Sequence, residues 1–357
     1  MARPALAKLM SKLSGSAGGA RVPAHVQRAA SEVLEVFEYK LVSRLIEDGF
    51  FKDIEGLSPS EAAQKFVDRN LFFTLLETLK TLGYVDVRRG FGFMDGRIRQ
   101  VHDLPPAPMA TTPEAIELET LFDELTASLS EALREGKRKL HVASPENKAL
   151  LAKLYDSQVF KTLLTLEVKS LGISEVPPHG VVVSVGPGIG AELPIVLLET
   201  DAKVVSVLPS EEDSRIAELT LSGLGLMSDQ VSLVVGQPER LNQLLTSLKI
   251  GPVDAVVAVH ALHWSSAPEA VLRNAAKVSR RVLISQPVEH EATWPLSIMS
   301  YLMGSNPLPK ADEVEFWINS AGLEGRSLMK DPVYLTQLSS RGASRGPMRL
   351  GAELRPP

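Results

Sequence analysis

Apolar positions follow two different periods along this chain. Between residues 25 and 48, Val33, Val36, Phe37, Leu41, Leu45 and Ile46 recur roughly every 3.6 residues, which predicts an amphipathic helix. Ser58-Pro59-Ser60-Glu61 is a capping-box pattern with proline at the first helical position, so a second helix starts there. A third runs from about Asp68 to Leu82 and stops at Gly83. Tyr84-Val85-Asp86-Val87, a turn at Arg89-Gly90 and Phe91-Gly92-Phe93-Met94 then read as a hairpin. Residues 114–172 are helical in pattern, with Leu118, Leu121, Phe122, Leu125 and Leu129, then Leu150, Leu151, Leu154, Val159, Leu163 and Leu166, on the apolar faces. From residue 180 the rhythm changes. Val181–Val185, Val204–Val207, Val231–Val235, Val253–Val259 and Val282–Ser285 are short β-branched runs of the kind buried on both faces of a sheet. Helical stretches at 211–223 and 268–278 separate them; one more helix at about 312–321 precedes a last strand pair near 323–329 and 333–338.

Three helices followed by a two-stranded wing form a winged-helix pattern, and repeated β-α units imply a parallel sheet with helices on both faces. The fold class is therefore α/β, a Rossmann-like sheet preceded by a helical, winged-helix N-terminal domain. The expected organisation is a flexible tail at 1–24, with a hinge at 14–20, and a winged-helix dimerisation domain at 25–103. A proline-stiffened linker (104–113) and helical connector fill 104–172, the sheet domain spans 173–338, and a Ser-, Gly-, Arg- and Pro-rich disordered tail covers 339–357.

Composition narrows the function classes. The 357 residues carry 38 Lys plus Arg against 43 Asp plus Glu, a net charge of −5, and no cysteine. Disulfide frameworks, thiolate metal sites and cysteine nucleophiles are excluded, and a reducing cytoplasm is the expected compartment. No stretch reads as a membrane span: the uncharged segment between Glu175 and Glu192 is short and interrupted by Pro177, Pro178, Pro187 and glycines. The N-terminus is basic up to Glu32 but lacks an apolar core, so it reads as a frayed tail rather than a secretory signal. Residues 21–103 hold 12 basic and 13 acidic residues, and the would-be recognition helix balances Arg69 and Lys80 with Asp68 and Glu77. DNA affinity needs phosphate neutralisation, which this helix does not offer; only Arg88, Arg89, Arg97 and Arg99 form a basic patch.

The sharpest chemical signal is Ser184-Val185-Gly186-Pro187-Gly188-Ile189-Gly190, directly after the first strand of the sheet. Glycines there let a backbone approach a ligand, and the following helix offers free amides. The G-x-G-x-G spacing differs from the dinucleotide fingerprint G-x-G-x-x-G.

This order of elements, continued by Asp254-Ala255-Val256-Val257-Ala258-Val259-His260-Ala261-Leu262-His263-Trp264, resembles a class I S-adenosylmethionine-dependent methyltransferase. The helical unit in front is similar to the dimerisation domain of small-molecule O-methyltransferases of the caffeate and hydroxyindole type. The resemblance implies S-adenosyl-L-methionine as cofactor, a small-molecule methyl acceptor, no metal and a homodimer through the N-terminal domain. It implies cofactor contacts at Gly186, Pro187, Gly188 and Gly190, and at Val259 and His260, with His260 as a pocket wall. Three carboxylates of the family pattern are replaced: the acid before the glycines is Ser184, the ribose acid is Leu208, and the acid after the third strand is Gln237. Glu211 or Glu212 is the nearest sequence candidate to stand in for the ribose acid. The general base of the family falls on His263 in Leu262-His263-Trp264, which the residues alone read equally as an inert histidine at a helix start. No glutamate matches the base's partner; Gln286 and Gly304-Ser305-Asn306-Pro307 stand near where acids are expected. Phe160, Trp264, Trp294, Met299, Met303 and Trp317 are candidates to line the acceptor pocket. The missing acids leave a second expectation open, a catalytically silent relative that binds a nucleotide as sensor or scaffold, and the winged helix a third, a transcription regulator.

Overall fold

The structure, a computed structural model, describes residues 5–17, 21–88, 96–137 and 144–340. Helices α1 (Ala5–Ser16), α2 (Ala24–Glu47), α3 (Phe50–Ile54), α4 (Pro59–Ala63) and α5 (Arg69–Leu82) lead into an antiparallel ribbon, β1 (Val85–Arg88) with β2 (Arg97–Gln100). The local signals act as expected. Ser58 and Glu61 close a reciprocal capping box on α4, the Asp68 side chain caps α5, and Gly83 ends it in a left-handed conformation. β1 pairs with Arg97–Gln100; the expected turn at Arg89-Gly90 and the expected strand Phe91–Met94 lie outside the described residues, as do 341–357 of the expected C-terminal tail.

The expected N-terminal tail differs from the structure. Residues 5–16 are helical, and Leu9, Met10 and Leu13 are buried against α2 and the connector. Their i, i+1, i+4 spacing makes one apolar stripe, which the Gly- and Ser-rich run after it obscured. The connector is four helices, α6 (Pro113–Ala127), α7 (Leu129–Glu135), α8 (Pro145–Asp156) and α9 (Gln158–Ser170). The segment before α6 is tied down by Glu32, whose carboxylate accepts from the Thr111 and Thr112 amides at 2.9 and 2.7 Å. Burial opposes ionisation of Glu32, but these bonds and those from the Thr111 hydroxyl and Arg28 outweigh it and hold its pKa at about 2.

The sheet domain runs β3 (Val181–Val185), α10 (Leu193–Glu199), β4 (Lys203–Leu208), α11 (Glu211–Gly223), β5 (Val231–Val235), α12 (Leu241–Ser247), β6 (Ala255–Val259), α13 (Pro268–Val278), β7 (Arg281–Pro287), α14 (Trp294–Leu302), α15 (Ala311–Ser320), β8 (Leu323–Met329) and β9 (Val333–Ser340). The spatial order is β5-β4-β3-β6-β7-β9-β8, parallel except for β9, which is antiparallel to both neighbours. Alternate residues face opposite layers. Val204 and Leu208 pack toward α9 and α10, whereas Val205 and Val207 pack toward α12 and α13.

The first of these layers is continuous with the N-terminal helices: one buried cluster extends from Leu9 through Phe37, Phe72 and Phe122 to Val259 and Trp294. Phe37 stacks on Trp294 at 5.6 Å, and the Tyr301 hydroxyl donates to Asp68 at 2.8 Å. The N-terminal helices therefore brace α14, on the β7 side of the sheet.

Candidate functional site

The chain reverses its direction of winding between β3 and β6. A crevice at the C-terminal ends of such strands is where open α/β sheets bind ligands. A cleft of about 280 Å³ opens there, lined by Gly186, Pro187 and Gly188 after β3, by Pro209, Ser210 and Asp213 after β4, by Gln237, Pro238 and Glu239 after β5, and by Ala261, Trp264 and Ser265 after β6. Helix α8 closes one side with Asn147, Lys148 and Leu151.

The three glycines of the motif meet different surroundings. Gly188 has φ +107°, and a Cβ there would project toward Pro209 across the cleft. Gly186 faces a carboxylate: a Cβ would lie inside the side chain of Glu192. Gly190 makes room for helix packing, since a Cβ would stand 2.9 Å from Ala217. Only the first two line the cleft.

Beneath the glycine turn, Ser184 is fully buried and its hydroxyl donates to Glu192 Oε1 at 2.8 Å. Burial pushes the Glu192 carboxyl above its ordinary range, against the Ser184 hydrogen bond and the nearby His260. Glu192 thus puts a carboxyl group beside Ser184, where the sequence resemblance expects one.

Behind the cleft lies a second buried network. His260, held at φ +52° at the end of β6, contacts Glu167 Oε2 through Nε2 at 2.7 Å and the Tyr155 hydroxyl through Nδ1 at 2.9 Å. A carboxylate only accepts, so Nε2 carries the proton and Tyr155 donates to Nδ1. Ser285 donates to the same Glu167 oxygen at 2.6 Å. Burial, with the Glu167 and Glu192 charges, pushes the Tyr155 phenol up. The network ties α8 and α9 to β6 and β7.

His263 is also buried, and its ring is oriented by Gln286. The Gln286 oxygen accepts from the Leu262 amide at 3.1 Å and its nitrogen donates to the Pro287 carbonyl at 2.8 Å, which fixes the amide's orientation. The same nitrogen then donates to His263 Nδ1 at 3.0 Å. His263 is therefore the Nε2–H tautomer, with its lone pair already engaged. Burial, then proximity to His260, lowers its pKa to about 3 against the small opposing effect of Gln286.

Residues 183–282 match the family model described as a methyltransferase domain. Over that stretch this chain is similar to a methyltransferase domain. No curated protein matches the sequence. Among solved structures, the CMeT domain of the citrinin polyketide synthase is 10% identical, with a TM-score of 0.56 over 94% of this chain and 97% of that one. The mitomycin 7-O-methyltransferase MmcR is 16% identical, covering 85% and 94% with a TM-score of 0.47. An O-methyltransferase family protein from Burkholderia thailandensis is 16% identical, covering 85% and 94% with a TM-score of 0.46. With the citrinin synthase domain the likeness is one of fold, and it takes in the N-terminal helices as well as the sheet.

Around this cleft the predicted residues separate into two groups. Gly186, Pro187, Gly188, Gln237 and Trp264 meet at the cleft. Ser184, Gly190, Leu208, Val259, His260 and His263 do not line it. Leu208 and Val259 are packed in the core because their register turns them into the α9–α10 layer. Phe160, Trp294, Met299 and Met303 are core as well, and Trp317 packs on the opposite layer with α15. Of the two acids on α11 expected to replace the ribose carboxylate, Glu211 is exposed and Glu212 pairs with Arg215 at 2.7 Å; Asp213 is the one turned inward. The sequence reading missed α8 as a wall of the cleft and Glu192 as a buried acid. An acid two residues past a glycine turn, after a serine where an acid is expected, was the available signal for Glu192.

The cleft residues suit a polar nucleoside ligand. Asn147 Oδ1 and Trp264 Nε1, on two of its walls, are buried and have no hydrogen-bond partner among the described residues. One acceptor and one donor left in this state cost stability unless a ligand or water completes them.

Proposed function

We propose that this chain is an S-adenosylmethionine-dependent methyltransferase acting on a small-molecule acceptor through an oxygen atom. The observation that carries the reading is the glycine-floored cleft at the strand ends of the sheet domain, with unpaired polar atoms on its walls. Gly186, Pro187 and Gly188 would hold the amino-acid part of the cofactor, Ser210 and Asp213 would face its ribose, and Gln237 and Pro238 its base. When bound, the cofactor supplies a methyl group on a positively charged sulfur. The chain's own residues orient that group and exclude water.

His263 enters the reading in a changed role. With its lone pair engaged by Gln286 it is a hydrogen-bond donor, not a ready base. An acceptor that arrives ionised, such as a phenolate or a carboxylate, needs no base. Such acidic hydroxyl compounds are the substrate class that this arrangement supports.

Calorimetric titration with S-adenosylhomocysteine tests the cofactor reading. Micromolar binding is the expected result, and no heat at millimolar ligand overturns it. A second reading, a chain that binds the nucleoside without turnover, is favoured by the core packing of Phe160, Met299 and Met303, none of which lines the cleft. Binding without methyl transfer to any of a panel of phenols and aromatic acids supports that second reading.

The same proposal takes the chain as a cytoplasmic homodimer assembled through residues 25–103. The cysteine-free composition supports the compartment, and light scattering tests the dimer. No helix among the described residues is long and apolar enough to cross a membrane.

A further inference from the structure

At the end of β4, where a carboxylate commonly grips a ribose, this chain has Leu208, fully buried and unable to hydrogen-bond. The same edge of the cleft nevertheless holds a carboxylate. Asp213 lies in the first turn of α11, and its Oδ2 accepts from the Ser210 hydroxyl at 2.6 Å and from Lys148 Nζ at 3.0 Å. Lys148 also donates to Ser210 Oγ at 2.6 Å, and the Asp213 amide donates to that oxygen at 3.3 Å. The Lys148 and Asp213 side chains are each only 5% exposed, and all three residues line the cleft.

We propose that Asp213, fixed by Lys148 and Ser210, grips the ribose hydroxyls of the nucleoside in place of Leu208. The inference rests on the cofactor reading above and names the residue that gives it specificity for a free diol. Three observations support it. Asp213 lies only five residues past Leu208 and lines the cleft that Leu208 does not reach. A carboxylate has about four acceptor positions, and the two bonds to Ser210 and Lys148 leave acceptor capacity for hydroxyl groups. A buried ion pair is a poor stabiliser of a fold compared with apolar packing, so its place on a cleft wall, rather than in the core, points to a ligand. Lys148 comes from α8, next to the unpaired Asn147 Oδ1. The connector helix therefore sets the rotamer of Asp213 and closes the cleft in one contact.

The test compares the affinity of S-adenosylhomocysteine with that of its 2′-deoxy and 3′-deoxy analogues. The wild-type chain is expected to prefer the intact diol by about tenfold or more, the loss when a buried acceptor is left without its donor. D213N is expected to reduce the preference to below about threefold, and E212Q, on the same helical turn, to leave it unchanged. Because the readout is a ratio within one protein, reduced stability does not imitate it; K148M/D213N, which removes both charges, serves if D213N alone fails to fold. Wild-type binding with no preference for the diol, or a preference that survives in D213N and in K148M/D213N, overturns this proposal and leaves the cofactor reading standing. Tighter binding of adenosine 2′-phosphate than of adenosine also overturns it, because Lys148 would then be the reader. Failure of the wild-type chain to bind S-adenosylhomocysteine removes both.

Discussion

Gly186, Gly188 and Gly190 share a residue type and differ in what surrounds them. Gly188 keeps the cleft open, Gly186 makes space for Glu192, and Gly190 lets α11 approach. A motif read as one binding loop is thus part ligand cradle and part packing device. His263 and Gln286 carry the same lesson about chemistry. An amide in place of a carboxylate leaves the imidazole without an anion to stabilise its charged form and directs a donor at Nδ1. Q286E is expected to accept a proton from Nδ1, free Nε2 as a base, and raise the His263 pKa from about 3 by one unit or more. Nitrogen chemical shifts of the ring across pH 3–8 read this directly, and an unchanged titration refutes the assigned tautomer.

At the level of elements, the N-terminal helix and the connector do more than the composition suggested. Helix α1 buries Leu9, Met10 and Leu13 against α9 and α2. Each such side chain contributes roughly 1.5–3 kcal/mol on burial, partly offset by the entropy of ordering the segment. Deletion of residues 1–17 is therefore expected to lower unfolding stability by about 3 kcal/mol. A denaturant midpoint equal to that of the full chain would show that the helix does not hold. The connector was expected to join two domains; α8 instead supplies Asn147, Lys148 and Leu151 to the cleft, and α9 supplies Glu167 to the buried His260 network. Nothing in the local sequence of α8 marks Lys148 as buried, because its partner Asp213 lies on a helix that follows β3 and β4 in the chain.

For the whole molecule, two buried titratable groups give the stability a pH dependence with opposite signs. His263 has a folded pKa below its unfolded value of 6.5, so its contribution is present above that value and is lost as pH falls toward 3. Glu192 has a folded pKa above 4.5, so its contribution is present below that value and is lost as pH rises through the folded pKa. E192Q retains an acceptor for Ser184 and carries no proton to lose. Its stability is expected to equal that of the wild type near pH 4 and to exceed it at pH 8, by about 1.4 kcal/mol for each unit by which the carboxyl is raised. Equal stability of the two proteins at pH 8 would show that Glu192 is ionised without cost.

The sequence by itself determined the order of elements, the parallel strands, the capped helices α4 and α5, and the glycine turn with Gln237 and Trp264 beside it. These features are legible because period, capping and turn chemistry act within a few residues of one another. Only the tertiary structure decided which side chains face the cleft. Leu208 and Asp213 are five residues apart, yet the strand's register buries one in the core while the helix's first turn presents the other. Glu192 and Lys148 acquire their roles from partners brought near by the winding of the sheet, since burial and pairing are properties of the packed chain.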